Sequence, residues 1–140
     1  MTDLVRFLDA RDGRHQLGKT YSISELTAEF DVTPRSLRFY ESRGLLTPDR
    51  AGLSRIYSDR DRSRLKLILH GKRLGFTLLE IRMMLQDAEA KSLPEAPFDG
   101  SLHLTKAQII EQLELLQQQK QGIEQAIEEL EISLAKNIHT

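Results

Sequence analysis

Apolar residues recur at alternating intervals of four and three along the C-terminal part of the chain, from Ile109 to Asn137. With Ile109 at heptad position d, seven of the nine a and d positions are apolar, and the exceptions are Lys120 and Asn137. The a and d positions form a narrow apolar stripe along one side of the helix, here called the seam, and such a stripe is typical of a coiled coil. We therefore predict a dimerisation helix over residues 105–138, about 50 Å long at 1.5 Å per residue. Its apolar seam positions are Ile109, Leu113, Leu116, Ile123, Ile127, Leu130 and Leu134.

The alternative is that this helix packs back on the N-terminal part of the chain. Pro94, Pro97 and Gly100 interrupt helical periodicity over residues 91–104, which we interpret as a linker. A proline-rich linker followed by a narrow seam favours the coiled coil. Residues 1–20 show no sustained periodicity, and they are predicted to form a flexible extension.

Helix-capping patterns divide residues 21–90 into four short helices. Three of them begin at Ser22, Ser58 and Thr77, each followed three residues later by an acidic residue, as in a capping box. The remaining helix begins at Thr33, with Pro34 in the first helical position. The first two helices are joined by about three residues, an arrangement that predicts a helix-turn-helix.

The segment between the second and third helices is rich in turn-forming residues. Pro48, Asp49 and Gly52 favour turns, and the alternating residues 55–57 favour a short strand. We predict a small hairpin, or wing, followed by a second helix pair. In the third helix we expect Leu65, Ile68 and Leu69 to face inward.

Charge is segregated along the chain, although the formal net charge is only −1. Residues 21–86 carry twelve basic and eight acidic side chains, whereas residues 87–140 carry four basic and ten acidic ones. Basic residues are densest over residues 35–73, with eleven against four acidic residues. A basic block of this kind indicates an anionic partner such as nucleic acid. Two ordinary solvated surfaces are the alternative.

Several classes of function are excluded by what the sequence lacks. Without cysteine there are no disulfides, thiolate metal sites or cysteine nucleophiles, and the four histidines lack metal-ligand spacing with carboxylates. We therefore expect no metal and no other cofactor. No phosphate loop or nucleophile–base motif indicates an enzyme. No apolar run approaches the roughly 20 residues of a membrane helix, and the N-terminus lacks a signal peptide's apolar core, so we expect a cytoplasmic protein.

Three motifs in order resemble one family. TPRSLRFYESRGLL at residues 33–46 resembles the recognition-helix motif of the MerR family of transcriptional regulators, and SRIYS at residues 54–58 resembles its wing. RLKLILHGKRLGFTLLEI at residues 64–81 is similar to the second helix pair. The resemblance covers residues 21–86, and it rests on the order and spacing of the three motifs together.

The resemblance implies a mostly α-helical fold. It comprises a winged helix-turn-helix DNA-binding domain with a second helix pair over residues 21–90, then a long antiparallel coiled-coil helix that forms a homodimer. The implied partners are double-stranded DNA and RNA polymerase at the promoter. A small-molecule effector of unknown identity and regulation without any ligand both stay open. The implied mechanism is distortion of an overlong promoter spacer, and sensing by cysteine thiolates is excluded in this chain.

The predicted recognition helix supplies the first candidate DNA-binding residues. Arg35 and Ser36 lie near its N-terminus, where side chains face base edges, and arginine can bind guanine O6 and N7. Arg38 follows Arg35 by three residues and shares its face. The resemblance implies groove or backbone contacts at Arg35, Arg38 and Tyr40. The alternative for Arg38 is a salt bridge to Glu41.

The predicted wing supplies Arg50, Arg55 and Tyr57. Arg55 and Tyr57 are two residues apart on a strand and so point the same way, which suits contact with phosphates or the minor groove. The alternative for Tyr57 is a buried residue that anchors the wing. The wing departs from the family pattern at Ser54, where a tyrosine often stands.

Together these features predict a homodimeric, sequence-specific transcription regulator that binds a pseudo-palindromic operator. Two other functions stay open at this point. The chain could be a DNA-bending architectural or phage-type factor without effector control, or a coiled-coil adaptor whose basic domain binds protein. Promoter-dependent transcription distinguishes the architectural factor, and salt-sensitive DNA binding argues against the adaptor.

Overall fold

The computed structural model describes residues 19–138, and over that range the chain is mostly helical, as predicted. The extension predicted over residues 1–20 lies outside the described residues, apart from its last two. The elements, in order, are β1 (Thr20–Ser22), α1 (Ile23–Phe30), α2 (Pro34–Ser42), β2 (Asp49–Ala51), β3 (Ser54–Ser58), α3 (Asp59–Arg73), α4 (Leu78–Ala90) and α5 (Lys106–Ile138).

The helices begin where the capping residues predict. Ser22, Ser58 and Thr77 each accept a hydrogen bond from the backbone N–H three residues later, and the acidic side chain there accepts from the cap's own N–H. At α2, Thr33 Oγ1 accepts from the N–H of Ser36 at 3.1 Å. Each cap satisfies donors that a helix start leaves unpaired, and this fixes the starting residue of each helix.

The wing is part of a three-stranded antiparallel sheet in the order β1-β3-β2. The hairpin of β2 and β3 was predicted, but β1 was not, because three residues are too few to show a strand's alternation. Tertiary contacts hold β1 in place: Tyr21 pairs with Tyr57, and the Tyr21 hydroxyl donates to Asp59 Oδ1 at 2.7 Å. The sheet fixes the wing against the start of α3.

The core joins the helix-turn-helix, the wing and the second helix pair. α3 packs against both α4 and β3, so its apolar side chains Leu65, Leu67 and Ile68 are buried. Leu69, expected inside, is only half-buried. The remaining fully buried side chains come from every part of the domain and are Leu26, Leu37, Leu45, Leu46, Tyr57, Ile81 and Leu85.

The chain divides into two compact units between Leu102 and His103. The second contains α5, a single helix of 33 residues. Its predicted seam residues are exposed, apart from Leu116, which is half-buried. Ile123, Leu130 and Leu134 are each more than 60% exposed. No helix within residues 19–138 is long and apolar enough to cross a membrane.

Candidate nucleic-acid interface

The orientation of α2 is fixed by two buried residues. Leu37 is fully buried and Tyr40 is 7% exposed, so this side of the helix faces the core. Arg35, Arg38 and Phe39 are all exposed on the rest of the helix surface. The helix therefore presents two cationic side chains and an aromatic ring to solvent from its first two turns.

Arg35 and Arg38 are available for an external partner. Neither side chain forms a hydrogen bond or an ion pair with any residue from 19 to 138. The alternative of a salt bridge from Arg38 to Glu41 is not present, because Glu41 instead binds arginines of the wing. The two guanidinium groups thus keep all their donors free toward the described part of the chain.

Ser36 and Tyr40 are less open than the two arginines. The Ser36 hydroxyl is 3.1 Å from Thr33 Oγ1, so it takes part in the cap of α2. The Tyr40 ring packs within the domain, 5.7 Å from the Phe39 ring centroid, and burial raises the pKa of its hydroxyl. Both residues lie on α2 as expected, but their side chains are partly committed to the protein.

The wing arginines are tied to α2 through one carboxylate. Arg55 Nε donates to Glu41 Oε1 at 2.6 Å, and Arg50 Nη2 lies 3.6 Å from Glu41 Oε2. The hydrogen bond from Arg55 to Glu41 is also the main reason that the pKa of Arg55 is raised. Arg55 is half-buried and Arg50 is exposed, and the two residues are directly paired across β2 and β3. This arrangement brings the predicted wing residues and the predicted recognition helix together.

Tyr57 occupies a different place from the one predicted. Its side chain is fully buried, and its hydroxyl has no hydrogen-bond partner among the described residues. Burial raises the pKa of this hydroxyl. The position matches the alternative of a core residue that anchors the wing, and the buried hydroxyl is not accessible to DNA.

Sequence reasoning missed two exposed apolar side chains at this surface. Phe39 on α2 is 44% exposed, and the Arg43 guanidinium lies 5.3 Å from its ring centroid. Leu53, beside Gly52 at the tip of the wing, is 97% exposed. The exposure of Leu53 could have been predicted from its place in a turn. The exposure of Phe39 could not, because it depends on which side of α2 packs against the core.

Three of the basic residues of α3 are paired with carboxylates of other helices. Arg60 and Arg64 both donate to Glu89, at 3.1 and 2.6 Å, and Arg62 forms an ion pair with Glu29. The Glu29–Arg62 hydrogen bond lowers the pKa of Glu29. These arginines connect α3 to α4 and α1, so their first role is structural.

Other ligand sites are scarce in the described part of the chain. No cluster of three or more histidine or acidic residues between 19 and 138 could hold a metal ion. An open groove of about 500 Å³ lies where the start of α3 and the end of α4 meet the following turn. Its lining residues are Asp59, Arg60, Ser63, Glu89, Ser92, Pro97 and Phe98.

Comparison with protein families gives two matches that span most of the described chain. Residues 21–88 match the MerR HTH family regulatory protein model, and residues 62–135 match a model described as MerR, DNA binding. The first covers the helix-turn-helix, wing and second helix pair. The second continues into α5.

Individual relatives agree with these matches. The chain is 39% identical over 67 residues to the HTH-type transcriptional regulator ZntR of Escherichia coli K12. This match covers 46% of this chain and 48% of ZntR, so the chain spans about half the length of that relative. It is 34% identical over 105 residues to a probable heavy metal-dependent transcriptional regulator of Haemophilus influenzae, covering 71% of this chain and 82% of that protein.

A solved structure confirms the predicted fold class. MtaN, the N-terminus of the Bacillus subtilis multidrug transporter activator, superposes with a TM-score of 0.55 and 31% identity, covering 81% of this chain and 97% of MtaN. The order of motifs, the fold and both family matches lead to one conclusion: the chain belongs to the MerR family of helix-turn-helix regulatory proteins.

Proposed function

We propose that this protein is a homodimeric, sequence-specific DNA-binding transcription regulator without enzymatic activity. The observation that carries the proposal is the pair of exposed arginines, Arg35 and Arg38, on the first two turns of α2. Neither has a partner among the described residues, and both lie on the helix that carries the wing-binding carboxylate Glu41. Free guanidinium groups on the exposed side of a helix-turn-helix recognition helix suit readout of DNA.

In this proposal α2 enters the major groove. Arg35, in the first turn, donates two hydrogen bonds to O6 and N7 of a guanine, and Arg38 reaches a neighbouring base or phosphate. Ser36 and Tyr40, whose side chains are partly held by the protein, contribute contacts to the backbone rather than to base edges. Sequence discrimination would then depend most strongly on Arg35.

The wing contributes contacts to the DNA backbone. Arg50 is exposed, and Arg55 keeps its terminal NH₂ groups free of the described residues while its Nε is held by Glu41. Cations that neutralise phosphates release counterions, so these contacts make binding sensitive to salt. A protein-binding adaptor would not require this salt dependence.

The seam of α5 supplies the dimer. Its apolar residues are exposed in a single chain, and an antiparallel coiled coil with a second copy would bury them. Lys120, within the seam, would fix register or orientation. A two-fold dimer presents two recognition helices and therefore reads a pseudo-palindromic operator.

Control of transcription would follow from DNA deformation. A dimer that distorts an overlong promoter spacer brings both promoter elements into a position that RNA polymerase can engage. A small-molecule effector acts by binding one DNA-bound state more tightly than the other. Because the chain has no cysteine, such an effector is not sensed through thiolates. The groove beside Phe98 and Arg60 is the place we propose for it.

Footprinting of the purified protein on genomic fragments tests this function directly. We expect protection of a site with two related half-sites, and no preference for any fragment over competitor DNA would refute the proposal. Arg35→Ala should lower specificity by about 1–3 kcal/mol, the range for one good base contact, whereas Arg55→Ala should weaken binding without changing which base is preferred at any position. Lys91→Ala removes an exposed charge at the end of α4 and serves as the control for net charge.

Transcription with purified RNA polymerase separates regulation from DNA bending alone. A regulator changes the amount of transcript from a promoter that contains the footprinted site. An architectural factor bends the same fragment, as measured by energy transfer between end labels, without changing the transcript. The second outcome would replace the proposed regulatory role with the architectural one.

A further inference from the structure

Glu41 joins the recognition helix to both strands of the wing. Its Oε1 accepts from Arg55 Nε at 2.6 Å, and its Oε2 lies 3.6 Å from Arg50 Nη2. The side chains of Glu41 and Arg55 are both only 23% exposed, so their contact is partly shielded from water. One carboxylate thus holds the two wing cations that lie opposite each other across β2 and β3.

The contact leaves most of the Arg55 guanidinium available. Glu41 takes only the Nε–H, and the terminal NH₂ groups form no hydrogen bond with any residue between 19 and 138. A guanidinium is planar and rigid, so holding its Nε edge sets the direction of its other N–H donors. Those donors suit a phosphate, which binds the guanidinium fork.

A carboxylate beside a DNA surface also has a cost. Its negative charge repels phosphates and so lowers affinity for every DNA sequence. On random DNA, a freely moving arginine finds phosphates as easily as an oriented one. On the operator, where α2 sits in a single register, only an oriented arginine meets its phosphate while Arg35 meets its base.

We propose that Glu41 is a positioning residue for operator discrimination. It orients Arg55, and more weakly Arg50, relative to the base-reading face of α2, so wing contacts form fully only when α2 is in register. The inference rests on the proposed DNA-binding function. Glu41 is acidic and lies at a surface that must attract DNA. Its proposed role is to raise the ratio of operator affinity to random-DNA affinity.

Binding of the full chain to the footprinted fragment and to random DNA of equal length tests the inference. Glu41→Ala should lower the ratio of the two affinities about tenfold, the scale of one lost specific contact, by weakening operator binding while random-DNA binding stays equal or rises. Glu29→Ala is the matched control. It removes a carboxylate that is 36% exposed, pairs with Arg62 on another part of the domain and changes the net charge equally.

Two further variants separate positioning from folding and from charge. Glu41→Gln keeps an oxygen that can accept a hydrogen bond from Arg55 Nε, so this variant should retain most of the wild-type affinity ratio. Glutamine also fills the same space as glutamate, so this variant tests the inference even if Glu41→Ala fails to fold. In a background that carries both Arg50→Ala and Arg55→Ala, Glu41→Ala should lower the ratio no further, because both of its partners are gone. Thermal melting of each variant shows whether the domain is intact.

The outcomes distinguish the two proposals. If the wild-type chain prefers no fragment over random DNA, the proposed function is wrong and the inference falls with it. If the wild-type chain prefers its operator and Glu41→Ala changes the ratio no more than Glu29→Ala does, the inference alone is overturned. The inference is also overturned if Glu41→Ala still lowers the ratio when both Arg50 and Arg55 have been replaced by alanine.

Discussion

For Tyr57, the sequence predicted the strand on which the residue lies but not the burial of its side chain. Tyr57 lies two residues after Arg55 on β3, and this spacing alone puts both side chains on the same face of the strand. In the sheet, β3 is the central strand and packs against α3, and Tyr57 is fully buried while Arg55 is half-buried. The flexible stem of Arg55 carries its guanidinium to Glu41 near the surface, whereas the rigid ring of Tyr57 is enclosed in the core.

The buried hydroxyl of Tyr57 makes a prediction about stability. It has no partner among the described residues, and an unpaired buried hydroxyl costs about 1–3 kcal/mol. Tyr57→Phe should therefore raise the free energy of unfolding by about 1 kcal/mol. Tyr21→Phe is the matched control with the opposite sign, since it removes the 2.7 Å hydrogen bond to Asp59. Urea denaturation measures both, and a Tyr57→Phe variant less stable than wild type contradicts the prediction.

Among the elements, those fixed by local chemistry were predictable from the sequence. Ser22, Ser58 and Thr77 mark the starts of α1, α3 and α4, because a capping box is complete within four residues. β1 was missed because its stability comes from pairing with β3, far along the chain. Leu67 was missed for a similar reason: α3 is covered by both α4 and β3, so its buried stripe is wider than a single helix face.

The close packing of α3 on α4 depends on a glycine. A Cβ atom at Gly71 would lie 2.8 Å from Ile81 Cγ1, so either the Ile81 side chain or one of the two helices would have to shift. Gly71→Ala should therefore lower the free energy of unfolding by about 2 kcal/mol, even though alanine favours a helix. At Gly122 in α5 nothing lies within 4 Å of an added Cβ, so Gly122→Ala should raise stability by about 1 kcal/mol.

Circular dichroism during urea denaturation, at one fixed protein concentration, measures the two alanine variants side by side. Both substitutions add one methyl group inside a helix, so the helix propensity gained is the same in each. Opposite signs are expected because only Gly71 faces a neighbouring helix. If Gly71→Ala is as stabilising as Gly122→Ala, the two helices can separate without cost and the packing explanation is wrong.

At the scale of the whole molecule, the sequence predicted the segregation of charge but not which charges are free. The pairs of Arg62 with Glu29 and Arg64 with Glu89 join residues 33 and 25 positions apart, and no local pattern links them. The ion pairs of α3 occupy Arg60, Arg62 and Arg64, and they leave Lys66, Lys72 and Arg73 exposed. The fold also decides that Arg38 stays unpaired, because the carboxylate nearest to it in sequence, Glu41, binds Arg55 and Arg50 of the wing.

The proposed dimer makes the last prediction, because α5 carries two isoleucines of nearly equal exposure on different faces. Ile127, at position a of the heptad, is 51% exposed in the single chain, and Ile132, at position f, is 49% exposed. A coiled coil would bury Ile127 and leave Ile132 in water. Ile127→Glu would place an unpaired charge in the seam, so the dimer dissociation constant should rise about a hundredfold, whereas Ile132→Glu should leave it unchanged.

Sedimentation equilibrium measures the dissociation constant, and operator binding by the same samples links it to function. Because each protomer reads one half-site, Ile127→Glu should weaken operator binding together with dimerisation. Ile132→Glu carries the same added charge and should bind the operator as the wild type does. If both variants dimerise equally well, α5 does not use the predicted seam. If Ile127→Glu is monomeric yet binds the operator with wild-type affinity, half-site reading by a dimer is not how this protein recognises DNA.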